Sequence, residues 1–129
     1  MASYRTGLSR ARGLGSAKHG VGSFLVERVT AIALVPLVLW AVYSGLYLSV
    51  QAYEGAVTWI RSPLNAVLLG LLVVTGFWHM HVGLRVVVED YVEKPLGKST
   101  LLLLNLFVCV LGGALGLFCI LKVAFGGAY

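Results

Sequence analysis

Hydrophobic residues dominate three long stretches of the chain, and most polar residues fall outside them. The stretches cover residues 29–50, 64–88 and 100–125. Each is longer than the roughly 20 apolar residues that a helix needs to cross a bilayer. The pattern predicts an all-α membrane protein with three transmembrane helices. Residues 1–28 are predicted to form a cytoplasmic tail and interfacial lead-in, and residues 29–129 the membrane anchor.

Polar residues and prolines mark the predicted helix boundaries. Ser23 precedes the first apolar stretch and is predicted to be the N-cap of its helix. Ser62 and Pro63 are predicted to cap and start the second helix, since proline is favoured at the first helical position. Pro36 lies inside the first stretch, where it removes one backbone hydrogen bond and is expected to bend the helix.

The composition limits what the chain can do. Of its 129 residues, 59% are hydrophobic and 12% are charged, which is far from the balance of a water-soluble domain. The segments between the apolar stretches are too short to form a soluble catalytic domain. Any chemistry therefore belongs within the membrane or at its edge.

The net charge of +5 is unevenly distributed along the chain. Basic residues concentrate before the first stretch and in the second connection, namely at Arg5, Arg10, Arg12, Lys18, Arg28, Lys94 and Lys98. By the positive-inside rule, the N-terminus and the second connection face the cytoplasm or the matrix of an organelle. Nucleic-acid binding is a poor explanation, because these charges flank spans and lack interleaved aromatic residues.

Small residues in the third stretch favour helix packing. Gly112 and Gly116 have the spacing that lets two helix backbones approach closely. Cys109 and Cys119 lie ten positions apart, which fits neither a metal site nor a disulfide framework. Both cysteines are expected to be small apolar core residues.

The second stretch carries three ionisable residues, His79, His81 and Arg85. Such groups are costly in a membrane and mark a functional site by default. A histidine in an apolar bundle can be an axial haem ligand. At about 100° per residue, Gly76 and Gly83 lie about 60° and 40° from His79, which leaves a shallow groove for a flat macrocycle. The alternative is that these glycines only allow close helix packing.

His81 lies about 200° from His79 around the helix, so the two cannot share one metal ion. His81 is expected to bond a backbone carbonyl of a neighbouring helix. The third histidine, His19, precedes the first stretch. If His79 binds haem, the sixth iron position must therefore be empty or filled by another chain.

An acid and a phenol follow at the end of the second stretch. Asp90 comes eleven residues after His79, on nearly the same helix face and about 16 Å along the axis. The adjacent Tyr91 can donate a hydrogen bond to a carbonyl-bearing lipophile such as a quinone. The alternative is that the acids in this region pair with Arg85, Lys94 or Lys98.

Two motifs together resemble the small hydrophobic anchor subunit of bacterial succinate dehydrogenase, respiratory complex II. The first is Gly20-Val21-x-x-Phe24-x-x-x-Arg28-x-Thr30-Ala31. The second is His79-x-x-x-Gly83-x-x-x-x-x-x-Asp90-Tyr91-Val92. The resemblance covers nearly the whole chain, and the two motifs together are specific.

The resemblance implies a role for five residues. His79 is implied to be an axial ligand of a b-type haem whose other ligand comes from the sister anchor subunit. Tyr91 is implied to hydrogen-bond a ubiquinone carbonyl, with Asp90 beside it where protons are taken up. Arg28 and Ser23 are implied at the haem propionates or the quinone pocket, although some members carry a histidine and an acid where this chain has Gly22 and Ser23.

The expected function is that of a membrane anchor in a succinate:quinone oxidoreductase of the bacterial cytoplasmic membrane. Its expected partners are a flavoprotein, an iron-sulfur subunit and a second anchor, which carry the flavin, the iron-sulfur clusters and the other haem ligand. A fumarate reductase anchor or another b-haem quinone enzyme is an alternative. A small transporter with His79, His81 and Arg85 in its pathway and a haem-free structural anchor are further alternatives.

Overall fold

The computed structural model describes residues 6–8, 13 and 20–126. Four helices lie in residues 20–126: α1 (Gly20–Leu48), α2 (Tyr53–Arg61), α3 (Pro63–Tyr91) and α4 (Pro95–Ala124). The described part of the chain contains no strand. The helices α1, α3 and α4 are long and apolar enough to cross a membrane. The predicted all-α fold with three spans is confirmed.

The first helix begins earlier than its apolar pattern indicated. α1 already includes Gly20, and Ser23 lies within it, so the prediction that Ser23 is the N-cap was wrong. Phe24 and Leu25 follow directly, and their apolar side chains suit the same membrane-facing helix. A continuous helix also satisfies the backbone groups of this lead-in, which irregular backbone near lipid would leave unpaired. Pro36 lies inside this continuous helix, as predicted.

The connection between the first two spans contains a helix that the hydrophobic pattern did not predict. α2 packs against both α3 and α4 and buries Val57. The Trp59 ring stacks on the Trp40 ring of α1, with 5.6 Å between centroids. The Asn65 side chain of α3 donates a hydrogen bond to the Trp59 carbonyl at 2.9 Å. The short helix thus ties one end of all three spans together.

The start of α3 matches its prediction in position. Ser62 is the N-cap and Pro63 begins the helix. The Ser62 side chain makes no capping hydrogen bond, however. Its backbone N–H instead donates to the Trp59 carbonyl and closes α2.

Helix α3 lies at the centre of the fold and contacts the other three helices. The glycine patch of α4 faces it. A Cβ atom added at Gly112 would lie 2.5 Å from Cε1 of Phe77, and one at Gly116 would lie 3.1 Å from Cγ1 of Val73. The prediction that this patch packs against a neighbouring helix is confirmed, because no larger residue fits there without movement.

Few side chains are buried within this chain. Val57 and Cys109 are the buried hydrophobic residues among those described, and many large apolar side chains on all three spans are exposed. In water such surfaces would be an aggregation hazard. In a bilayer they are suited to contact lipid or further membrane subunits.

Candidate functional site

His79 lies near the middle of α3 and faces α1. Its ring nitrogen Nδ1 is 2.9 Å from the hydroxyl oxygen of Thr30. The side chain is half-buried, so part of the imidazole remains accessible from outside the chain. This contact uses one ring nitrogen, and Nε2 has no hydrogen-bond partner among the described residues.

The two glycines that flank His79 border open space. A Cβ atom added at Gly76 or at Gly83 would meet nothing within 4 Å. The contrast with Gly112, where an added Cβ would collide with Phe77, shows that the two sets of glycines serve different purposes. Gly76 and Gly83 therefore take no part in close packing between the described helices. They leave a strip of bare backbone on either side of an accessible imidazole.

His81 points to a different side of α3 and is held by α4. The Asn105 side-chain nitrogen Nδ2 lies 2.9 Å from the His81 carbonyl oxygen and 3.2 Å from its Nδ1. The Asn105 oxygen accepts a hydrogen bond from the Cys109 thiol at 3.2 Å. Both Asn105 and Cys109 are buried. His81 therefore bonds a side-chain amide of a neighbouring helix rather than the expected backbone carbonyl.

Asn105 was not singled out from the sequence. The available signal was a lone amide in an apolar run, whose polar atoms need partners inside a membrane.

The two cysteines also differ from expectation in one respect. Cys109 is buried as predicted, whereas Cys119 is exposed on the outside of the described helices.

The end of α3 contains one ion pair. Arg85 Nε and Glu89 Oε1 are 2.8 Å apart, one helical turn from each other. The Lys98 ammonium donates a hydrogen bond to the Glu89 carbonyl at 2.7 Å. The expectation that acids here pair with nearby basic residues is thus met by Glu89 and Arg85.

Asp90 and Tyr91 stand apart from this ion pair. Within the part of the chain that the structure describes, neither side chain has a hydrogen bond or an ion pair. Tyr91 is 82% exposed. Because α3 is continuous from His79 to Tyr91, Asp90 lies about 16 Å along the axis from the histidine and on nearly the same face.

Arg28 lies on the outside of α1. Its guanidinium carbon is 5.2 Å from the centre of the Phe24 ring, one turn earlier, which is within cation–π range. Among the described residues it forms no ion pair. Its charge is thus available to a group outside this chain.

A cavity of about 640 Å³ opens between α1, α3 and α4. Its lining is mainly apolar, with polar contributions from Ser23, His81, Arg85 and Glu89. Of the five site residues predicted from the sequence, all of them in described segments, Ser23 alone lines it. The predicted residues therefore do not converge in one cavity: His79, Asp90 and Tyr91 follow α3, Arg28 lies on α1, and Ser23 faces the cavity.

Two further predictions concern metal binding and His19. No group of three His, Cys, Asp or Glu side chains among the described residues could hold a metal ion together. A haem iron takes few protein ligands, so a single accessible histidine is a sufficient contribution from one chain. His19 lies outside the described residues.

Comparison with known proteins gives one consistent match. Residues 2–115 match the model of a family described as succinate dehydrogenase/fumarate reductase transmembrane subunit. The succinate dehydrogenase hydrophobic membrane anchor subunit of Rickettsia bellii (strain RML369-C) is 33% identical over 101 residues, which is 78% of this chain and 80% of the relative.

Two further relatives carry the same description. The protein of Rickettsia conorii (strain ATCC VR-613 / Malish 7) is 31% identical over 108 residues, covering 83% of this chain and 86% of the relative. That of Paracoccus denitrificans is 29% identical over 107 residues, covering 81% of each chain. No solved structure gives a significant match.

Proposed function

The chain belongs to the family of succinate dehydrogenase/fumarate reductase transmembrane subunits and is a membrane anchor of succinate dehydrogenase, and on this premise we propose two sites in it. His79 supplies one axial ligand to a b-type haem. Tyr91 and Asp90 form part of a ubiquinone-reduction site at the end of α3. Partner subunits complete both sites.

The observation that carries the haem proposal is the open space on the helix surface around His79. The half-buried His79 lies between Gly76 and Gly83, where an added Cβ atom would meet no atom of a neighbouring helix within 4 Å. A flat macrocycle needs such a bare surface on the helix that supplies its ligand. Haem b bound there would carry single electrons by changing the oxidation state of its iron.

His81 is less suitable than His79 as a haem ligand. Asn105 donates to its Nδ1 and to its carbonyl, so its ring is fixed against α4. It also lies about 200° around the helix from His79. A second protein ligand to an iron held by His79 would therefore come from another chain, which we take to be the sister anchor subunit.

Exposed polar side chains at the end of α3 support the quinone proposal. The Tyr91 phenol is free to donate a hydrogen bond to a quinone carbonyl oxygen. The neighbouring Asp90 side chain has no basic partner in the described residues and is a candidate to pass protons to the quinone. Arg28 has a free guanidinium, which suits a haem propionate or the rim of the quinone pocket. The Ser23 hydroxyl is a further candidate contact for either group.

The proposed complex lies in the bacterial cytoplasmic membrane with the N-terminus of this chain inside. The basic residues before α1 and between α3 and α4 favour that orientation. It brings Tyr91 and Asp90 to the inner face. There a flavoprotein would oxidise succinate and an iron-sulfur subunit would deliver electrons to the quinone.

The experiment is affinity purification of the tagged chain from its native membranes. A flavoprotein, an iron-sulfur protein and a second anchor should accompany it, together with haem b at a fixed ratio to this chain. Haem extraction as a pyridine complex measures that ratio. Co-purification of all three partners without any haem b would contradict the haem site but leave the anchor role intact.

A further inference from the structure

The hydroxyl of Thr30 has three close polar neighbours. It lies 2.8 Å from the carbonyl oxygen of Val26 and 3.1 Å from that of Glu27, both one turn earlier in α1. On its other side it lies 2.9 Å from Nδ1 of His79 in α3. A single hydroxyl therefore joins the backbone of one span to the candidate haem ligand on another.

The direction of these hydrogen bonds follows from counting protons. A hydroxyl has one proton to donate, whereas a carbonyl oxygen can only accept. Two oxygens 2.8 Å apart repel each other unless a proton lies between them. The Thr30 proton is therefore committed to the carbonyl groups of α1, and the lone pairs of its oxygen face His79.

This arrangement selects one form of the His79 ring. Because the Thr30 oxygen can only accept from His79, Nδ1 must carry the ring proton. A neutral imidazole has one N–H, so Nε2 is left with a lone pair. That lone pair is what iron requires of a histidine ligand.

His81 shows the opposite form in the same helix. The Asn105 nitrogen donates to the His81 carbonyl, which fixes the amide group with its NH₂ toward the histidine. The same NH₂ faces Nδ1, which must then accept, so the ring proton of a neutral His81 is on Nε2. Of these two histidines, only His79 thus has an Nε2 lone pair with which to bind iron.

We propose that Thr30 is a positioning residue for the haem, which fixes the ring orientation and tautomer of His79 and strengthens it as a ligand. The proposal rests on the proposed haem site. A ligand histidine that donates its other N–H to an oxygen is a better electron donor to the metal. Stronger donation favours ferric over ferrous iron, so the Thr30 contact should lower the midpoint potential of the haem.

The test compares three variants of the whole complex. Thr30→Val keeps the shape of the side chain and removes the hydroxyl, and Thr30→Ser keeps the hydroxyl. Thr100→Val is the matched control, because the Thr100 hydroxyl makes the same kind of bond to a carbonyl one turn earlier without a histidine partner. Haem b content, the optical spectrum and the midpoint potential are measured for each variant.

Thr30→Val should weaken haem binding by about 10- to 100-fold and raise the midpoint potential of the haem that remains. Each tenfold change in the ratio of ferric to ferrous binding corresponds to about 59 mV. Thr30→Ser should restore the wild-type potential, and Thr100→Val should not move it. If Thr30→Val does not assemble, Thr30→Ala provides the same comparison with less bulk.

An unchanged potential and haem content in an assembled Thr30→Val or Thr30→Ala complex would overturn the role of Thr30. The failure of the haem site itself looks different. In that case the wild-type complex has no haem b, or His79→Ala leaves its spectrum unchanged. The same spectra therefore separate an incorrect role for Thr30 from an incorrect ligand.

Discussion

Replacing Gly76 or Gly83 by leucine would place a branched apolar side chain in the open space beside His79. A Cβ atom at either position meets nothing within 4 Å, so the first atom of the leucine side chain clashes with no neighbouring helix. Helix propensity even favours leucine over glycine, by about 0.6–0.8 kcal/mol in water. A loss of haem at these two positions alone would therefore point to a group that occupies this space from outside the chain.

We expect both leucine variants to retain less haem. Both positions lie within about one helical turn of His79, so a leucine side chain there prevents a flat ring from approaching the helix. Overpacking of this kind costs about 1–3 kcal/mol, which corresponds to roughly 5- to 150-fold weaker haem retention. Alanine at the same positions, with a single methyl group, should have a smaller effect.

The assay measures haem b per copy of this chain in the purified complex, along with the recovery of the partner subunits. Gly45→Leu is the matched control, because Gly45 is also helical and an added Cβ there also meets nothing within 4 Å. Equal haem content in Gly76→Leu, Gly83→Leu and Gly45→Leu complexes would refute the groove. A graded loss from glycine through alanine to leucine at 76 and 83 alone would support it.

Two further predictions concern the quinone site and helix packing. Tyr91→Phe should reduce quinone reduction at least several-fold while leaving succinate oxidation by an artificial acceptor intact, and Tyr43→Phe, another exposed tyrosine, should affect neither; equal loss of both activities would indicate an assembly defect instead. Gly112→Ala should destabilise the packing of α4 on α3 by about 1–3 kcal/mol, because the new methyl group meets the Phe77 ring at 2.5 Å. Gly113→Ala has its nearest contact with Phe77 at 3.4 Å and should cost less, so equal thermal unfolding midpoints for the two complexes would argue against the described interface.

The sequence predicted the spans well because their physical cause is local. Length and apolar character alone decide whether a helix can cross a bilayer, and both are visible in the pattern of residues. The start of α1 was less predictable. Gly20, Gly22 and Ser23 are weak helix formers that also favour caps, yet the helix runs through them.

The contacts between helices depended on the tertiary structure. The glycines at 112 and 116 indicated that another helix packs closely against α4. That their neighbours are Phe77 and Val73 follows from how α3 and α4 are aligned. Helix α2 was missed because nine residues between two spans carry too weak a signal. Its packing depends on distant residues such as Trp40.

The candidate site also combines features that the sequence predicted with features that it could not. Helical periodicity separated His79 from His81 and placed Asp90 near the face of His79. It could not reveal the partners of the two histidines, because Thr30 and Asn105 lie 49 and 24 positions away along the chain. Only the three-dimensional structure brings these pairs into contact, and those contacts distinguish the two rings.

Haem ligation by His79 is tested most directly by the reduced-minus-oxidised spectrum of complexes that carry His79→Ala or His81→Ala. Both substitutions remove an imidazole from α3 two positions apart, so each controls for the other. If His79 binds the haem iron, His79→Ala abolishes or shifts the b-type haem bands, while His81→Ala leaves the haem coordinated. An unaltered spectrum in the His79→Ala complex, or loss of the bands in the His81→Ala complex alone, would contradict it.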